Sequence, residues 1–244
     1  EESLLRTSLL PGQMKLIAYN QSHRIDALKF FEIGHVFLSP KKGDLLPDER
    51  EYLSVALVGE EAPAAVKVLN LLGNALALPN LQLKEQAIEG LHPRRSSSVI
   101  VAGKEHGQIG EIDPRTLQKF GIAGRVAWIE LDLGRLLNGP HGKRKYTKVS
   151  KYPTSDIDLA FDVPESVRSV EIEGCLRKAG GRFLKDLQLF DSFKPQSLGE
   201  KRRNLAYRLR FQSSETTLND NEIKDLRQKC IDEVEKKTQA KIRE

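Results

Sequence analysis

The chain has 244 residues, of which 39% are hydrophobic and 30% are charged. This balance is typical of a globular protein with one large or two ordinary domains, and it excludes a disordered or fibrous chain. No apolar run approaches the roughly 18 residues that cross a bilayer, and no leader sequence is evident, so we expect a cytoplasmic location without membrane contact. Because the chain begins with Glu1 rather than Met, we interpret it as a fragment of a longer protein. Cys175 and Cys230 are too few for a disulfide scaffold and are expected to be buried in helices.

The net charge of +5 is unevenly distributed along the chain. Residues 1–142 contain 16 Lys and Arg against 17 Asp and Glu, whereas residues 143–244 contain 23 against 17. The surplus favours a polyanionic partner for the C-terminal part, and a merely solvated basic surface is the alternative. Turn-forming residues before position 143 and a basic run after it predict a first domain over residues 1–142, a linker over 143–150 and a second domain over 151–244.

The first domain mixes helical and strand patterns. Apolar residues at helical spacing predict helices over residues 12–23 and 66–78. The segment from Gly103 to Gly110 lacks the GK[ST] ending of a phosphate loop and leads into a strand, so we interpret it as a hairpin turn. We expect an α+β domain around a largely antiparallel sheet. Runs rich in Val, Ile and Phe predict its strands over residues 30–38, 52–58, 99–102, 108–112 and 126–133.

The second domain has a clearer order of elements. A helix is predicted around residues 172–179, and a second helix begins at a capping box formed by Asn219 and Glu222. Alternating apolar residues predict strands over residues 157–163, 183–193, 204–212 and 240–243. The resulting order, βαββαβ, is typical of a ferredoxin-like fold.

The two faces of this predicted sheet differ in chemistry. One face carries an apolar set and should lie beneath the helices; this set is Leu205, Tyr207, Leu209 and Phe211. The opposite face carries Arg208 and Arg210, together with Asp158 and Asp162 from another strand. An open face of a four-stranded sheet is a common platform for RNA.

Several segments resemble one protein family in their order and spacing. In the first domain they read LRTSLLPG, FEIGHVF, LHPRRS and GQIGEIDP, beginning at Leu5, Phe31, Leu91 and Gly107. In the second domain they read KYP, DLA, LFD, NLAYRL and TLND, beginning at Lys151, Asp158, Leu189, Asn204 and Thr217. The first set resembles the catalytic-like module of bacterial phenylalanine–tRNA ligase β subunits. The second set is similar to the ferredoxin-fold anticodon-binding domain of the same family.

The resemblance implies a class II synthetase-like antiparallel-sheet module followed by the ferredoxin-like domain. It also implies an α₂β₂ ligase that uses ATP and magnesium, with the chemistry on the α subunit. The fragment would brace the α subunit and bind the anticodon stem-loop of tRNA(Phe). A class II site needs an Arg on one strand and a glycine-rich motif ending in Arg, but residues 30–38 contain Glu32 and no Arg. We therefore assign no catalytic residue, metal or cofactor to this fragment.

The candidate RNA-binding residues are cations of the second domain, namely Lys151, Lys201, Arg202, Arg203, Arg208 and Arg210. One departure from the family pattern lies beside them. Many members carry two arginines before the residue that corresponds to Asp158, where this chain has Asp156 and Ile157. Asp156 and Asp158 lack a third ligand that would indicate a metal site.

Two other hypotheses stay open at this stage. A stand-alone RNA-binding or scaffolding protein without a ligase partner would fit the alternating strands and basic C-terminal part equally well. An autonomous small-molecule enzyme is the third hypothesis, although no nucleophile–base pair or cofactor motif stands out in the sequence.

Overall fold

The structure is a computed structural model that describes residues 4–40, 42–143, 149–193 and 202–243. The chain divides into two compact units, Glu1–Lys145 and Tyr146–Glu244. Each unit is built on its own antiparallel sheet. Among the described residues, no helix is both long enough and apolar enough to cross a membrane.

The first unit has a six-stranded sheet in the order β1-β2-β6-β5-β4-β3, which makes β1 and β3 the edge strands. Every neighbouring pair of strands is antiparallel. The strands are β1 (Lys29–Leu38), β2 (Asp48–Val58), β3 (Gln82–Glu85), β4 (Leu91–Val101), β5 (Lys104–Ile112) and β6 (Val126–Asp132). The helices are α1 (Leu10–Ser22), α2 (Ala62–Ala75), α3 (Pro114–Phe120) and α4 (Leu133–Leu137).

Alternation along β6 divides the apolar residues of this unit between two cores. Trp128 packs on the α1 side with Met14, and its indole N–H donates to Gln13 Oε1 at 2.9 Å. Ile129, the next residue, packs on the other side with Leu69 of α2. Successive strand residues point to opposite faces, so this sheet buries apolar side chains on both sides.

The predicted α+β fold with antiparallel sheets is confirmed, with local corrections. The hairpin interpretation is confirmed at the start of its segment, because Ala102 and Gly103 both have positive φ (49° and 78°) and join β4 to β5 as a two-residue turn. It is wrong for the rest of the segment, because β5 begins at Lys104. The predicted strand end at Leu133 is wrong. Asp132 caps a short helix there by accepting from the Arg135 backbone N–H. The sequence patterns missed β3, α3, α4 and the first part of β4.

The second unit has a four-stranded sheet in the order β10-β7-β9-β8, again with antiparallel neighbours. Its strands are β7 (Ser155–Pro164), β8 (Leu184–Phe193), β9 (Arg202–Phe211) and β10 (Lys241–Arg243). Its helices are α5 (Ser169–Gly180) and α6 (Asp220–Lys237), and a 3-10 turn over Gly181–Phe183 precedes β8. The order confirms the predicted βαββαβ arrangement. The predicted capping box of Asn219 and Glu222 is also confirmed.

Both helices of the second unit cover one face of its sheet. The predicted apolar set on β9 is fully buried there, together with side chains of α5 and α6. Cys175 and Cys230 belong to this core, as expected. Burial raises the pKa of the Cys175 thiol and raises the pKa of the Cys230 thiol to about 11.

Candidate nucleic-acid interface

The face of the second sheet that points away from the helices is exposed to solvent, and we call it the open face. Leu209 and its apolar neighbours on β9 face the helices, so the alternate residues Arg208 and Arg210 point the other way. Their side chains are 50% and 47% exposed. The open face can therefore be reached by a large ligand.

Each of these arginines is bound to an aspartate on the neighbouring strand. The register places Asp158 opposite Arg208 and Asp156 opposite Arg210. Arg208 donates from Nε and Nη2 to both oxygens of Asp158, at 2.8 and 2.7 Å, and Arg210 does the same to Asp156. Such two-pronged contacts fix the plane of each guanidinium and hold it along the sheet surface.

The ion pairs also set the protonation of both carboxyl groups. Hydrogen bonds from Arg210 hold the pKa of Asp156 below its usual 3.8, and those from Arg208 do the same to the pKa of Asp158. Both aspartates are therefore ionised at neutral pH. Asp156, which the sequence analysis singled out beside Asp158, thus places a carboxylate against Arg210.

The open face as a whole is balanced in charge at its paired positions. Five cations and five carboxylates occupy the paired positions of this face among the described residues. The cations are Arg202, Arg208, Arg210, Lys241 and Arg243, and the carboxylates are Asp156, Asp158, Asp162, Asp186 and Asp191. Four of the six surplus positive charges of residues 143–244 come instead from the predicted linker, at Lys143, Arg144, Lys145 and Lys148.

Two exposed aromatic rings belong to the same face. Phe190 is 47% exposed and Phe193 is 43% exposed, both near the end of β8. The Arg208 guanidinium lies 5.2 Å from the centroid of the Phe190 ring, and the Arg243 guanidinium lies 6.0 Å from that of Phe193. Aromatic rings and guanidinium planes on an open sheet are the groups on which unstacked bases can stack.

The sequence analysis did not name these phenylalanines. The register of β8 shifts between Leu189 and Asp191, so that Phe190 is an extra residue and Phe193 comes to lie opposite Asn204. Without the shift, simple alternation would assign Phe193 to the helix-covered face. The adjacent apolar pair Leu189-Phe190 is the one signal in the sequence that could have indicated the irregularity.

The other candidate RNA-binding residues occupy different places. Arg202 begins β9 on the open face and donates to Asp162 Oδ1 at 2.7 Å. Arg203 points to the helix-covered side, where it donates to the Val167 carbonyl at 3.0 Å. Lys151 precedes β7, with its ammonium 5.8 Å from the Tyr152 ring centroid. Lys201 lies outside the described residues.

The first unit contains a polar cavity of about 350 Å³ above the centre of its sheet. Arg50 and Arg135, the two guanidiniums that line it, both contact Asp132 at 3.2 Å. Glu130 lies at its floor, 3% exposed, and accepts from the backbone N–H of Leu9 at 2.7 Å. Burial raises the pKa of this carboxyl above its usual 4.5.

The first unit also carries an apolar groove beside its free edge strand. The groove has a volume of about 510 Å³ and lies among β1, β2 and α2. Phe31 and Ile33, on β1, are 68% and 52% exposed in this region. Contiguous exposed apolar surface of this kind is characteristic of protein–protein contact sites.

Both units match family models whose descriptions agree with one another. Residues 1–133, more than half of the chain, match the model of the phenylalanyl tRNA synthetase beta chain CLM domain. Residues 150–243 match the model of the ferredoxin-fold anticodon binding domain. The chain belongs to the phenylalanine–tRNA ligase β subunit family.

Curated phenylalanine–tRNA ligase β subunits are similar to the chain over nearly its whole length. The protein from Symbiobacterium thermophilum is 32% identical over 91% of this chain and 26% of its own length. The one from Listeria monocytogenes serovar 1/2a is 30% identical over 100% of this chain and 32% of its own length. The chain thus spans between a quarter and a third of the length of these relatives. A solved pyrrolysyl-tRNA synthetase structure from Desulfitobacterium hafniense is a distant match, at 17% identity and a TM-score of 0.46; the match covers 54% of this chain and 48% of that one.

The sequence resemblance to phenylalanine–tRNA ligase β subunits is therefore confirmed for both parts of the chain. In the first unit, Glu32 on β1 is bound by Arg6 at 2.8 Å.

Proposed function

We propose that this chain is the C-terminal part of a phenylalanine–tRNA ligase β subunit. In this proposal residues 1–142 support the catalytic α subunit, residues 143–150 link the two domains, and residues 151–244 bind the anticodon stem-loop of tRNA(Phe). The observation that carries the RNA-binding role is the pair of exposed rings, Phe190 and Phe193, each beside a guanidinium on the open face. Such a surface suits single-stranded loops, whose bases are free to stack.

The ion pairs on the open face are compatible with RNA binding. A solvent-exposed Arg–Asp pair contributes little to stability, so exchanging the carboxylate for a phosphate disturbs the fold only slightly. The guanidinium geometry that serves Asp158 also suits two phosphate oxygens. The nearby aspartates repel a polyanion at the same time, so Arg208 and Arg210 bind RNA only where a phosphate displaces their partners.

A salt titration of tRNA binding tests this role. The chain should bind tRNA(Phe) with an affinity that falls steeply between about 50 and 200 mM salt. The double variant Arg208→Ala/Arg210→Ala should bind more weakly and with a shallower salt dependence, by about one unit in the slope of log K against log salt. The matched control is Lys84→Ala/Arg94→Ala, at two exposed cations of the first unit, which should leave both quantities unchanged. Affinity that is indifferent to salt would contradict the proposal.

The apolar groove beside β1 supports a partner role for the first unit. An α subunit that covers Phe31 and Ile33 would remove their exposed side chains from water, a favourable change for large apolar groups. Phe31→Glu should therefore greatly reduce co-purification with a co-expressed α subunit, whereas Leu45→Glu, a change at a 98% exposed residue outside the groove, should not. Equal recovery of the α subunit with both variants would exclude this groove as the contact.

ATP, and the magnesium that accompanies it, belong to the α subunit in this proposal, because the polar cavity of the first unit fits a nucleotide poorly. Three carboxyl groups line it, and a triphosphate there would meet like charge. Arg50 and Arg135 are already bound to Asp132. The fragment alone should therefore be inactive in aminoacylation. A role in translation places the whole α₂β₂ enzyme in the cytoplasm.

The rival function is a stand-alone RNA-binding or scaffolding protein, for which the open face would serve equally well. Failure of the full chain to co-purify with any phenylalanine–tRNA ligase α subunit, together with retained RNA binding, would favour that rival.

A further inference from the structure

His106 is a buried side chain with an unpaired polar atom, near the beginning of β5 in the first unit. It is 7% exposed, and its Nδ1 makes no hydrogen bond with any residue that the structure describes. Burial lowers the pKa of the imidazole below its usual 6.5, so the ring is neutral at neutral pH. A ring nitrogen that is left unbonded in the interior costs free energy. Folding alone therefore gives no reason for a histidine at this position.

A β-bulge directs this histidine into the polar cavity of the first unit. Val99 of β4 lies opposite Gly107 of β5, and the next residue, Ile100, lies opposite Glu105. His106 is thus an extra residue of β5. Glu105 and His106 consequently both line the polar cavity, although neighbouring residues of a regular strand point to opposite faces. Bulges of this kind are frequent beside ligand sites, where they change the direction of a side chain.

A cation with unused donor groups lines the same cavity. Arg135 binds Asp132 through Nε at 3.2 Å and, within the described part of the chain, forms an ion pair with no other carboxylate. Its Nη1 and Nη2 are therefore available to a ligand, and together they match the two oxygens of a carboxylate. The Arg135 side chain is 54% exposed, so this part of the cavity can be reached from solvent.

A second cavity adjoins the first and offers apolar surface. Its volume is about 590 Å³, compared with about 350 Å³ for the polar cavity. Both volumes lie in the range of small-molecule sites, which combine apolar walls with a few polar groups. The two cavities share the side chains of Glu105, His106 and Arg135, and the apolar residues that line the second one are Val101, Ala102 and Pro140.

The charges of this site suit a small ligand that carries both signs. A simple anion bound to Arg135 would face the carboxyl groups of Glu105 and Glu130, which line the same cavity. A simple cation bound at Glu105 would face Arg135 in turn. Glu105 is held in place by the Ser98 hydroxyl, which donates to its Oε1 at 3.1 Å. A zwitterion places each of its charges beside the opposite one.

We propose that the two cavities bind a free α-amino acid with an apolar side chain. The carboxylate of the ligand binds the terminal nitrogens of Arg135. Its ammonium donates to the Glu105 carboxylate and to His106 Nδ1, in the tautomer that carries the ring proton on Nε2. Its side chain enters the second cavity. The ligand thus supplies the hydrogen bond that the buried imidazole lacks, at a site that neither the RNA-binding role nor the α-subunit contact uses.

Isothermal titration calorimetry of the 244-residue chain with each standard amino acid tests this assignment. At least one apolar amino acid should bind with a Kd of about 10 µM to 1 mM. The corresponding amine without the carboxylate, and the corresponding acid without the ammonium, should each bind at least about 10-fold more weakly. An absence of binding by every amino acid at about 10 mM would overturn the assignment. An amine or acid that binds as tightly as the amino acid would also overturn it.

Two variants test the residues that hold the ligand. Arg135→Gln and His106→Leu should each weaken binding by about 10-fold or more, because each removes a hydrogen bond to a charged group. The matched control is Arg125→Gln, since Arg125 is also about half exposed (49%) and bound to a carboxylate, that of Glu61, but lies outside both cavities. It should bind as the unaltered chain does.

Thermal unfolding shows which of these variants are folded, and Arg135→Gln, at an exposed side chain, keeps the test decisive if His106→Leu is not. Unchanged affinity in a folded Arg135→Gln or His106→Leu variant would overturn the assignment. An equal loss of affinity in Arg125→Gln would overturn it as well. Each of these failures would leave the proposed tRNA-binding function standing, because tRNA binding is measured separately and involves the other unit.

Discussion

The charged residues of the two sheets differ in their exposure and in their partners. In the second unit, Arg208 and Arg210 are paired with aspartates at an exposed surface, where water and ligands reach both partners. In the first unit, Asp132 and Glu130 are buried, and their partners are backbone groups or side chains of the same unit. Exposed pairs are weak and exchangeable, whereas buried hydrogen-bonded groups are costly to disturb. The same residue types therefore suit ligand exchange in one unit and structural support in the other.

The largest effect expected from this contrast is on the stability of the first unit. Glu130→Ala removes the acceptor of the buried Leu9 N–H and of the Ser8 hydroxyl. Leaving such a donor unpaired costs about 1–3 kcal/mol, so the free energy of unfolding should fall by about that amount. Glu130→Gln, which keeps an acceptor oxygen, is the matched control for a urea titration. A loss as large for Gln as for Ala would show that hydrogen bonding to Leu9 is not the cause.

A second effect concerns the aromatic groups of the open face. Phe190→Ala/Phe193→Ala should weaken tRNA(Phe) binding by roughly 10- to 100-fold, because stacking contributes about 1–3 kcal/mol per base. The unfolding midpoint should change little, since both rings are almost half exposed. Phe31→Ala, at an exposed ring of the first unit, is the control for filter binding. An unchanged affinity in the double variant would remove the aromatic platform from the proposal.

A smaller effect, of opposite sign, is expected from the aspartates. Asp156→Asn/Asp158→Asn removes two carboxylates that compete with phosphate for Arg210 and Arg208. Affinity for tRNA(Phe) should therefore rise a few-fold at low salt, and the gain should shrink as salt screens the charges. The same titration on the Arg208→Ala/Arg210→Ala background should show a smaller gain. Weaker binding by the Asn variant would mean that the aspartates orient the arginines for RNA.

The smallest expected effect is a change of stability with pH that is caused by ionisation of Glu130. Its pKa in the folded chain lies above the usual 4.5, so the folded state holds this proton more tightly than the unfolded state does. Its contribution to stability is full below about pH 4.5 and is lost as pH rises through the raised pKa. The stability of Glu130→Gln relative to the unaltered chain should thus increase with pH above that value and then level off. A difference that is constant between pH 4 and 8 would contradict the raised pKa.

Local patterns in the sequence were enough to predict most elements, because alternation and helical spacing report which side chains a sheet or helix buries. The whole βαββαβ order and the capping box at Asn219 followed from such patterns. β3 was missed because all four of its residues are exposed at a sheet edge, so no apolar alternation marks it. The short helix α4 was missed because one capping carboxylate, Asp132, ends the strand within an apolar run.

The candidate site was predicted less completely than the fold. The sequence of one strand does not determine which residues of the neighbouring strand lie opposite it. Arg208 and Arg210 could be assigned to the open face from alternation. Their bonds to Asp158 and Asp156 depend on the register between β7 and β9, which brings distant residues opposite each other. The predicted strand began at residue 204, so alternation was not applied to Arg203, which points to the helix-covered side, or to Arg202 beside it.

The extra residue in β8 has a consequence for reading related chains. This one residue reverses the face to which the last side chains of the strand point. The face that Phe193 occupies therefore depends on the number of residues between it and Leu187, a core position. A related chain with one residue fewer between these two positions could keep the fold, yet the ring at the end of its strand would point to the helix-covered core. Spacing within this strand, rather than the presence of phenylalanine, is the quantity to compare when the same surface is sought elsewhere.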